Sequence, residues 1–186
     1  SGFGPSARFE TDTQVPEAPT LLAPADGLID ADTTPLFTWN AVVGQKSDAP
    51  AGVVNRWELS TDPSFATLRD SIETISSQHQ IDGSAALPSC STVVYWRVTA
   101  TDAAGNRSAP SAAFRYETYR PGAKIFDCSY DVLDVVALVG YTFRGDESPI
   151  PPGRAETNCT PPVDAVDVVA LINHVFRSGP VPCGPQ

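Results

Sequence analysis

The C-terminal third of the chain contains the same segment twice. DVLDVVALVGYTFR at positions 131–144 returns 33 residues later as DAVDVVALINHVFR at positions 164–177. The copies share two aspartates, the run VVAL and the final Phe-Arg pair. Two copies are too few for a solenoid, which needs about three repeats to bury a continuous core. We therefore expect a self-contained pair of equivalent units.

Each copy has the spacing of an amphipathic helix, with one face recurring at i, i+3, i+4, i+7 and i+8. The face residues are Val135, Leu138, Val139, Thr142 and Phe143 in the first copy and Val168, Leu171, Ile172, Val175 and Phe176 in the second. Asp134 and Asp167 stand at the helix starts, where a carboxylate caps free N–H groups and meets the positive end of the dipole. The repeat therefore predicts two helices with buried stripes.

The preceding hundred residues predict an all-β sandwich. Short runs rich in β-branched and aromatic residues alternate with Pro, Gly and Asp turns at the spacing of two packed sheets. The predicted strands are residues 20–23, 36–39, 57–61, 68–74, 79–81, 93–101 and 112–118. Trp39, Trp57 and Trp96 are the predicted core fillers between the sheets.

Composition narrows the class of partner. The chain has 22 acidic and 12 basic residues, a net charge of −10, which repels nucleic-acid phosphates and anionic lipids. No apolar run reaches the roughly 18 residues of a membrane span. We expect no nucleic-acid partner and no membrane insertion. Because Met is absent, we expect a processed chain or a fragment.

The cysteines indicate an oxidising compartment. Cys90, Cys128, Cys159 and Cys183 never approach C-x-x-C spacing, which disfavours zinc. An even number of cysteines fits two disulfides in a secreted protein, extracellular or at the cell surface, and leaves three connectivities open.

No enzyme motif stands out in the sequence. The two histidines, His79 and His174, are far apart, and the sequence has no G-x-S-x-G, P-loop or S-x-x-K motif. We expect a protein without catalytic activity.

Residues 19–120 resemble bacterial fibronectin type III or Ig-like modules. PLFTWN, NRWELSTDPSF and VYWRVTATDAAGNRSAPSAAF carry the resemblance. It implies an Ig-like sandwich that serves as a spacer, an adhesive unit or a carbohydrate-binding platform. For the last role, Tyr95, Tyr116 and Tyr119 are the candidate stacking residues, and the alternative is that they fill the core or a sheet edge.

Residues 121–186 resemble a type I dockerin, the duplicated loop-helix calcium module by which secreted bacterial proteins dock onto cohesins. DVVALINHVFRSGPVPC and its earlier copy carry this resemblance. It implies EF-hand-like loops with oxygen ligands at positions 1, 3, 5, 9 and 12. The implied ligands are Glu156, Asn158, Thr160, Asp164 and Asp167 in the second loop, and Asp127, Asp131 and Asp134 in the first.

Both loops depart from the calcium pattern. Ala123 and Ile125 take the first two ligand positions of the first loop, and Cys128 and Pro161 replace the glycine at position 6 of the two loops. Weak calcium binding is one interpretation. The alternative is that the four repeat aspartates only cap helices.

The dockerin resemblance also implies pairings and contacts. The resemblance implies the disulfide Cys159–Cys183, and Cys90 then remains for Cys128. The implied partner contacts are at loop positions 10 and 11 and along the helices, at Val132, Leu133, Ala165, Val166, Arg144 and Arg177.

Residues 1–18 form an N-terminal extension with two interpretations. Its Gly and Pro content favours a tether. The alternation of Ala7, Phe9 and Thr11 with charged residues instead predicts a strand lent to a neighbouring sheet edge.

Three functions follow from these patterns. In the first, the protein is a secreted adaptor whose dockerin-like pair docks onto a cohesin-like partner. In the second, copies assemble head-to-tail into an extracellular fibre or surface layer. In the third, the sandwich binds carbohydrate.

Overall fold

The computed structural model describes residues 12–42, 52–90, 92–121 and 129–182. Within these ranges, eight strands precede two α-helices. The strands are β1 (Leu21–Ala23), β2 (Leu28–Asp30), β3 (Leu36–Trp39), β4 (Val54–Ser60), β5 (Asp70–Thr74), β6 (Gln78–Gln80), β7 (Val93–Thr101) and β8 (Phe114–Thr118). The helices are α1 (Val132–Val139) and α2 (Ala165–Arg177), with a π-helical turn at Gly140–Arg144 and a 3₁₀ turn at Pro152–Ala155 between them.

The strands form two sheets, which confirms the predicted mainly β sandwich. One sheet has the order β1-β3-β6 and the other the order β2-β8-β7-β4-β5. Strand β4 is antiparallel to both β5 and β7, whereas β2 is parallel to β8. The strands are short because turn residues interrupt the chain every few positions.

Most predicted strands occur within a few residues of their expected bounds, and β3 and β7 match them. The prediction missed β2. This strand has only three residues, too few to show alternation, and it pairs with β8 at Leu28↔Tyr116 and Asp30↔Thr118. Strand β2 forms because of pairing with a distant part of the chain, which sequence periodicity does not report.

Residue contacts divide the chain into two compact units. The first comprises 1–25, 36–79 and 95–114, and the second comprises 26–35, 80–94 and 115–186. In the first unit, Phe37 lies 5.0 Å from both Trp57 and Trp96 between ring centroids. All three tryptophans are buried, as predicted.

In the second unit the repeat forms a helical pair with its own core. The core residues are Val135, Leu138, Ala155, Val168 and Leu171. Phe143 and Phe176, which were predicted to be buried, are exposed instead. Phe143 lies in the π-helical turn, where the wider winding changes the direction of side chains. In α2 the buried stripe is narrower than the periodicity indicates, and it does not include Phe176. No helix in the described parts of the chain has the length and apolarity of a membrane span.

Candidate functional site

The two repeats expose the same apolar positions. Leu133 and its counterpart Val166 are 54% and 57% exposed, and Val136 and Val169 are 60% and 55% exposed. Phe143 and Phe176 are 64% and 60% exposed. We call these residues, together with Val132 and Ala165, the repeat face. The eight residues thus form four pairs of equivalent exposed side chains, with one member of each pair on each repeat.

The N-termini of the two helices are built alike. Asp131 caps α1, with its Oδ1 accepting the N–H of Leu133 at 2.7 Å, and Asp164 caps α2 by accepting the N–H of Val166 at 2.6 Å. Asp134 and Asp167 lie at the third helical position and accept the N–H of the capping aspartates at 3.0 and 2.9 Å. These are capping boxes with aspartate in place of glutamate. The aspartates therefore fix the backbone at the predicted contact residues.

The second predicted calcium loop uses its carboxylates internally. Asp167 is buried, and its Oδ1 accepts the N–H groups of Thr157 and Asn158 at 2.7 and 3.1 Å. The Asn158 side chain accepts the N–H of Thr160 at 2.7 Å. The Oδ2 of Asp167 accepts the N–H of Asp164, so both of its carboxylate oxygens are used within the protein, whereas calcium requires several converging oxygens. The arrangement therefore does not fit calcium as it stands.

Acidic groups nevertheless crowd this loop. Burial raises the pKa of Glu156, and the nearby charges of Asp167 and Asp164 raise it further. The Oε2 atom of Glu156 is buried without a hydrogen-bond partner. Among the described residues, no group of three His, Cys, Asp or Glu side chains is placed to hold a metal.

The remaining predicted ligands do not make a second site in the described chain. Asp131 and Asp134 serve the cap of α1, and Asp127 lies outside the described residues. In the second loop the left-handed backbone position is Cys159, with φ of 64°, two residues before Pro161, where an EF-hand has its glycine. The turn is thus made at a different residue.

Both described cysteines, Cys90 and Cys159, are disulfide-bonded. Cys128 and Cys183 lie outside the described residues, so the implied pairings stay predictions.

In the N-terminal extension, Phe9 also lies outside the described residues. The described part of the extension begins at Asp12, whose carbonyl accepts from the Asn106 side chain at 3.2 Å.

A buried arginine that the sequence analysis missed connects the 3₁₀ turn to β8 in the second unit. Arg154 is 2% exposed, and its Nη2 lies 3.5 Å from the Glu117 carboxylate. Its guanidinium lies over the Tyr119 ring, 5.4 Å from the centroid. Burial lowers the pKa of Arg154, and the charge of Glu117 opposes that effect. Nothing in the surrounding sequence PPGRAE distinguishes this residue from a surface arginine.

Of the two interpretations of Tyr116, the structure supports the core filler and not the stacking residue. Tyr116 is 1% exposed, and its hydroxyl donates to the Asp32 carbonyl at 2.7 Å. It cannot stack on a sugar, because its ring is enclosed in the core. Tyr119 is half-buried beside Arg154, and Tyr95 lies on β7.

Neither a protein-family model nor a curated protein matches the chain. Several solved structures do. The sixth fibronectin type III domain of human fibronectin type III domain containing protein 3 is 16% identical, with a TM-score of 0.38, over 62% of this chain and 93% of that one. An α-L-rhamnosidase from Dictyoglumus thermophilum is 13% identical, with a TM-score of 0.41, over 59% of this chain and 13% of that enzyme. The sandwich assignment rests on the strand pairing described above.

Proposed function

We propose that the protein is a secreted, non-catalytic interaction protein that docks onto a protein partner through the repeat face, with the sandwich as its spacer. The observation that carries the proposal is the matched exposure of apolar side chains on both repeats. Exposed apolar side chains that recur at equivalent positions mark an interaction surface more often than singly scattered ones do. Here the same positions are exposed twice.

A comparison of the two copies supports this assignment. They differ at six pairs of positions: Val132 and Ala165, Leu133 and Val166, Val139 and Ile172, Gly140 and Asn173, Tyr141 and His174, and Thr142 and Val175. The first two of these pairs lie on the repeat face and are apolar in both copies. They are identical at the exposed pairs Val136–Val169 and Phe143–Phe176. Solubility favours a polar residue at an exposed position, so the retention of phenylalanine in both copies favours a binding role.

Charge suggests the chemistry of the partner. Arg144 and Arg177 directly follow the exposed phenylalanines, and both are themselves exposed. In a chain with a net charge of −10, these cations favour a partner whose apolar surface is bordered by carboxylates, because complementary charges speed and orient docking. A cohesin-like sheet surface is the partner class that the dockerin resemblance implies. Assembly of the chain with copies of itself is the competing outcome.

The extracellular location is supported by the two disulfide-bonded cysteines, since disulfides persist in oxidising compartments. Calcium is not part of the proposed docking mechanism, because the capping boxes already order both helix starts.

Light scattering after size exclusion tests the proposal against self-assembly. The full chain is run alone at about 100 μM and then mixed with a purified type I cohesin, conditions that detect complexes with Kd near 10 μM. We expect a monomer alone and a one-to-one complex in the mixture, both unchanged by chelator. A polymer of the chain alone would favour the fibre, and a monomer in both runs would overturn the proposed docking.

A further inference from the structure

The second unit contains a cavity of about 680 Å³ that the proposed docking does not use. Its walls come from loops next to β2, β7 and β8 and from residues around the helical pair, and none of them belongs to the repeat face. Pockets that bind small molecules have volumes of about 300–1,000 Å³. The cavity therefore has the size of a ligand site.

Aromatic rings line the cavity and are held in place by the chain itself. Tyr130 and His174 contact each other edge to face, with centroids 4.8 Å apart. The Tyr130 hydroxyl donates to the Pro121 carbonyl at 2.8 Å, and His174 Nδ1 lies 3.0 Å from the Gly179 carbonyl oxygen. These bonds fix the rings, so the wall is preformed.

Polar groups on the same wall are partly uncommitted. Asp32 uses Oδ1 to accept the N–H and hydroxyl of Thr34 at 2.8 and 3.2 Å. Among the described residues its Oδ2 accepts no hydrogen bond. The Ser89 hydroxyl accepts from Arg120 at 3.3 Å, which leaves its own proton available for donation. The cavity thus offers an acceptor and a donor beside apolar and aromatic surface.

We propose that this cavity binds a short neutral saccharide. A sugar ring presents a C–H face to aromatic and apolar walls such as Tyr119 and Val181, and its hydroxyls both donate and accept at Asp32 and Ser89. A purely apolar ligand would desolvate Asp32 without a partner, which is costly. An anion would meet the Asp32 carboxylate in a chain that is already strongly acidic. The Arg120 guanidinium on the same wall already contacts Ser89 and the Tyr130 ring.

NMR titration of the full-length chain tests the proposal. The ¹⁵N-labelled protein is titrated separately with cellobiose, xylobiose and maltose to about 10 mM, which detects Kd values near 1 mM. We expect at least one sugar to shift resonances of Tyr119, Tyr130 and His174. Decaproline is titrated in parallel, because aromatic grooves also bind polyproline helices.

Two variants locate the binding. Val181 is 56% exposed at the cavity wall, so Val181→Trp fills the cavity without removing a core contact. Asp32→Asn keeps one side-chain oxygen, which can still accept the hydrogen bonds from Thr34. It replaces the other carboxylate oxygen with an amide NH₂ group, which cannot accept a hydrogen bond from the sugar. We expect each to weaken sugar binding at least tenfold, whereas Val15→Trp, at a residue 53% exposed in the first unit, leaves it unchanged.

Circular dichroism confirms that each variant is folded, and Asp32→Asn decides the result if Val181→Trp does not fold. Three results would overturn the proposal: no shifts from any of the three sugars, equal affinity in Asp32→Asn and wild type, or shifts from decaproline alone.

Discussion

At the scale of single residues, the buried Arg154 is the least predictable feature of the second unit. Its charge is buried opposite Glu117, which also pairs with Arg115. Removing one partner of a buried pair leaves a charge without compensation, and this usually costs more than the pair itself contributes.

We predict that Arg154→Met lowers the free energy of unfolding by about 2–3 kcal/mol. The loss is smaller than for an ion pair with no other partner, because Arg115 still pairs with Glu117 in the variant. Chemical denaturation measures this loss. Arg144→Met, at an exposed residue, is the control and should change stability by less than about 0.5 kcal/mol. Equal effects of the two substitutions would show that the buried pair has no special importance.

Gly153 gives a second residue-scale prediction. A Cβ there would lie 2.6 Å from the Tyr119 hydroxyl oxygen, so Gly153→Ala must displace the ring and should cost about 1–3 kcal/mol. Gly83→Ala is the matched control, because its Cβ would meet nothing within 4 Å. Thermal unfolding of both variants provides the comparison. Comparable melting temperatures would contradict the close approach of the 3₁₀ turn to Tyr119.

At the scale of elements, helices were easier to predict than their exposed faces. The spacing of Val135, Leu138, Val168 and Leu171 identified the core because packing in a helical pair follows the 3.6-residue period. The period did not predict the π-helical turn at Phe143. Strand β2 was missed because it forms only by pairing with β8, and the helix caps lie at Asp131 and Asp164, three residues before the predicted positions.

Strands β4 and β7 carry a charge cluster that predicts a pH effect. Burial raises the pKa of Glu58, but hydrogen bonds from Arg97 and Arg56 outweigh it and hold the pKa below its usual value. A depressed carboxyl pKa stabilises the fold above the unfolded pKa, and this contribution disappears as pH falls through the folded value. Wild type should therefore exceed Glu58→Gln in stability at pH 7, and the difference should shrink below about pH 4.5. A difference that is constant from pH 7 to pH 3 would contradict the ionic role.

The acidic loop before α2 predicts a pH effect on stability of the opposite sign to that of Glu58. Because the pKa of Glu156 is raised, its ionised form destabilises the fold at neutral pH. Glu156→Gln should raise the melting temperature at pH 7 and leave it unchanged at pH 3, with or without calcium. If calcium stabilised the wild type and Glu156→Gln removed that effect, the loop would be a metal site and the capping interpretation would be wrong.

At the scale of the whole molecule, the sequence predicted the sandwich and the duplicated pair, since each follows from a local period and its turn residues. It did not predict the cavity, whose walls come from several segments far apart in the chain.

The two predicted disulfides connect distant parts of the chain. Non-reducing peptide mapping should recover Cys90–Cys128 and Cys159–Cys183, and recovery of Cys90–Cys183 would contradict the dockerin-like pairing.

The central claim is that the repeat face docks onto a protein partner. Calorimetric titration of a purified type I cohesin tests it most directly, with wild type, the double variant Phe143→Ser/Phe176→Ser, and Ile75→Ser as control. Ile75 is 82% exposed in the first unit, so its substitution removes exposed apolar surface without touching the repeat face. We predict that the double variant weakens binding at least a hundredfold, about 2.7 kcal/mol, while the control binds like wild type. Equal affinity of all three proteins would contradict the account.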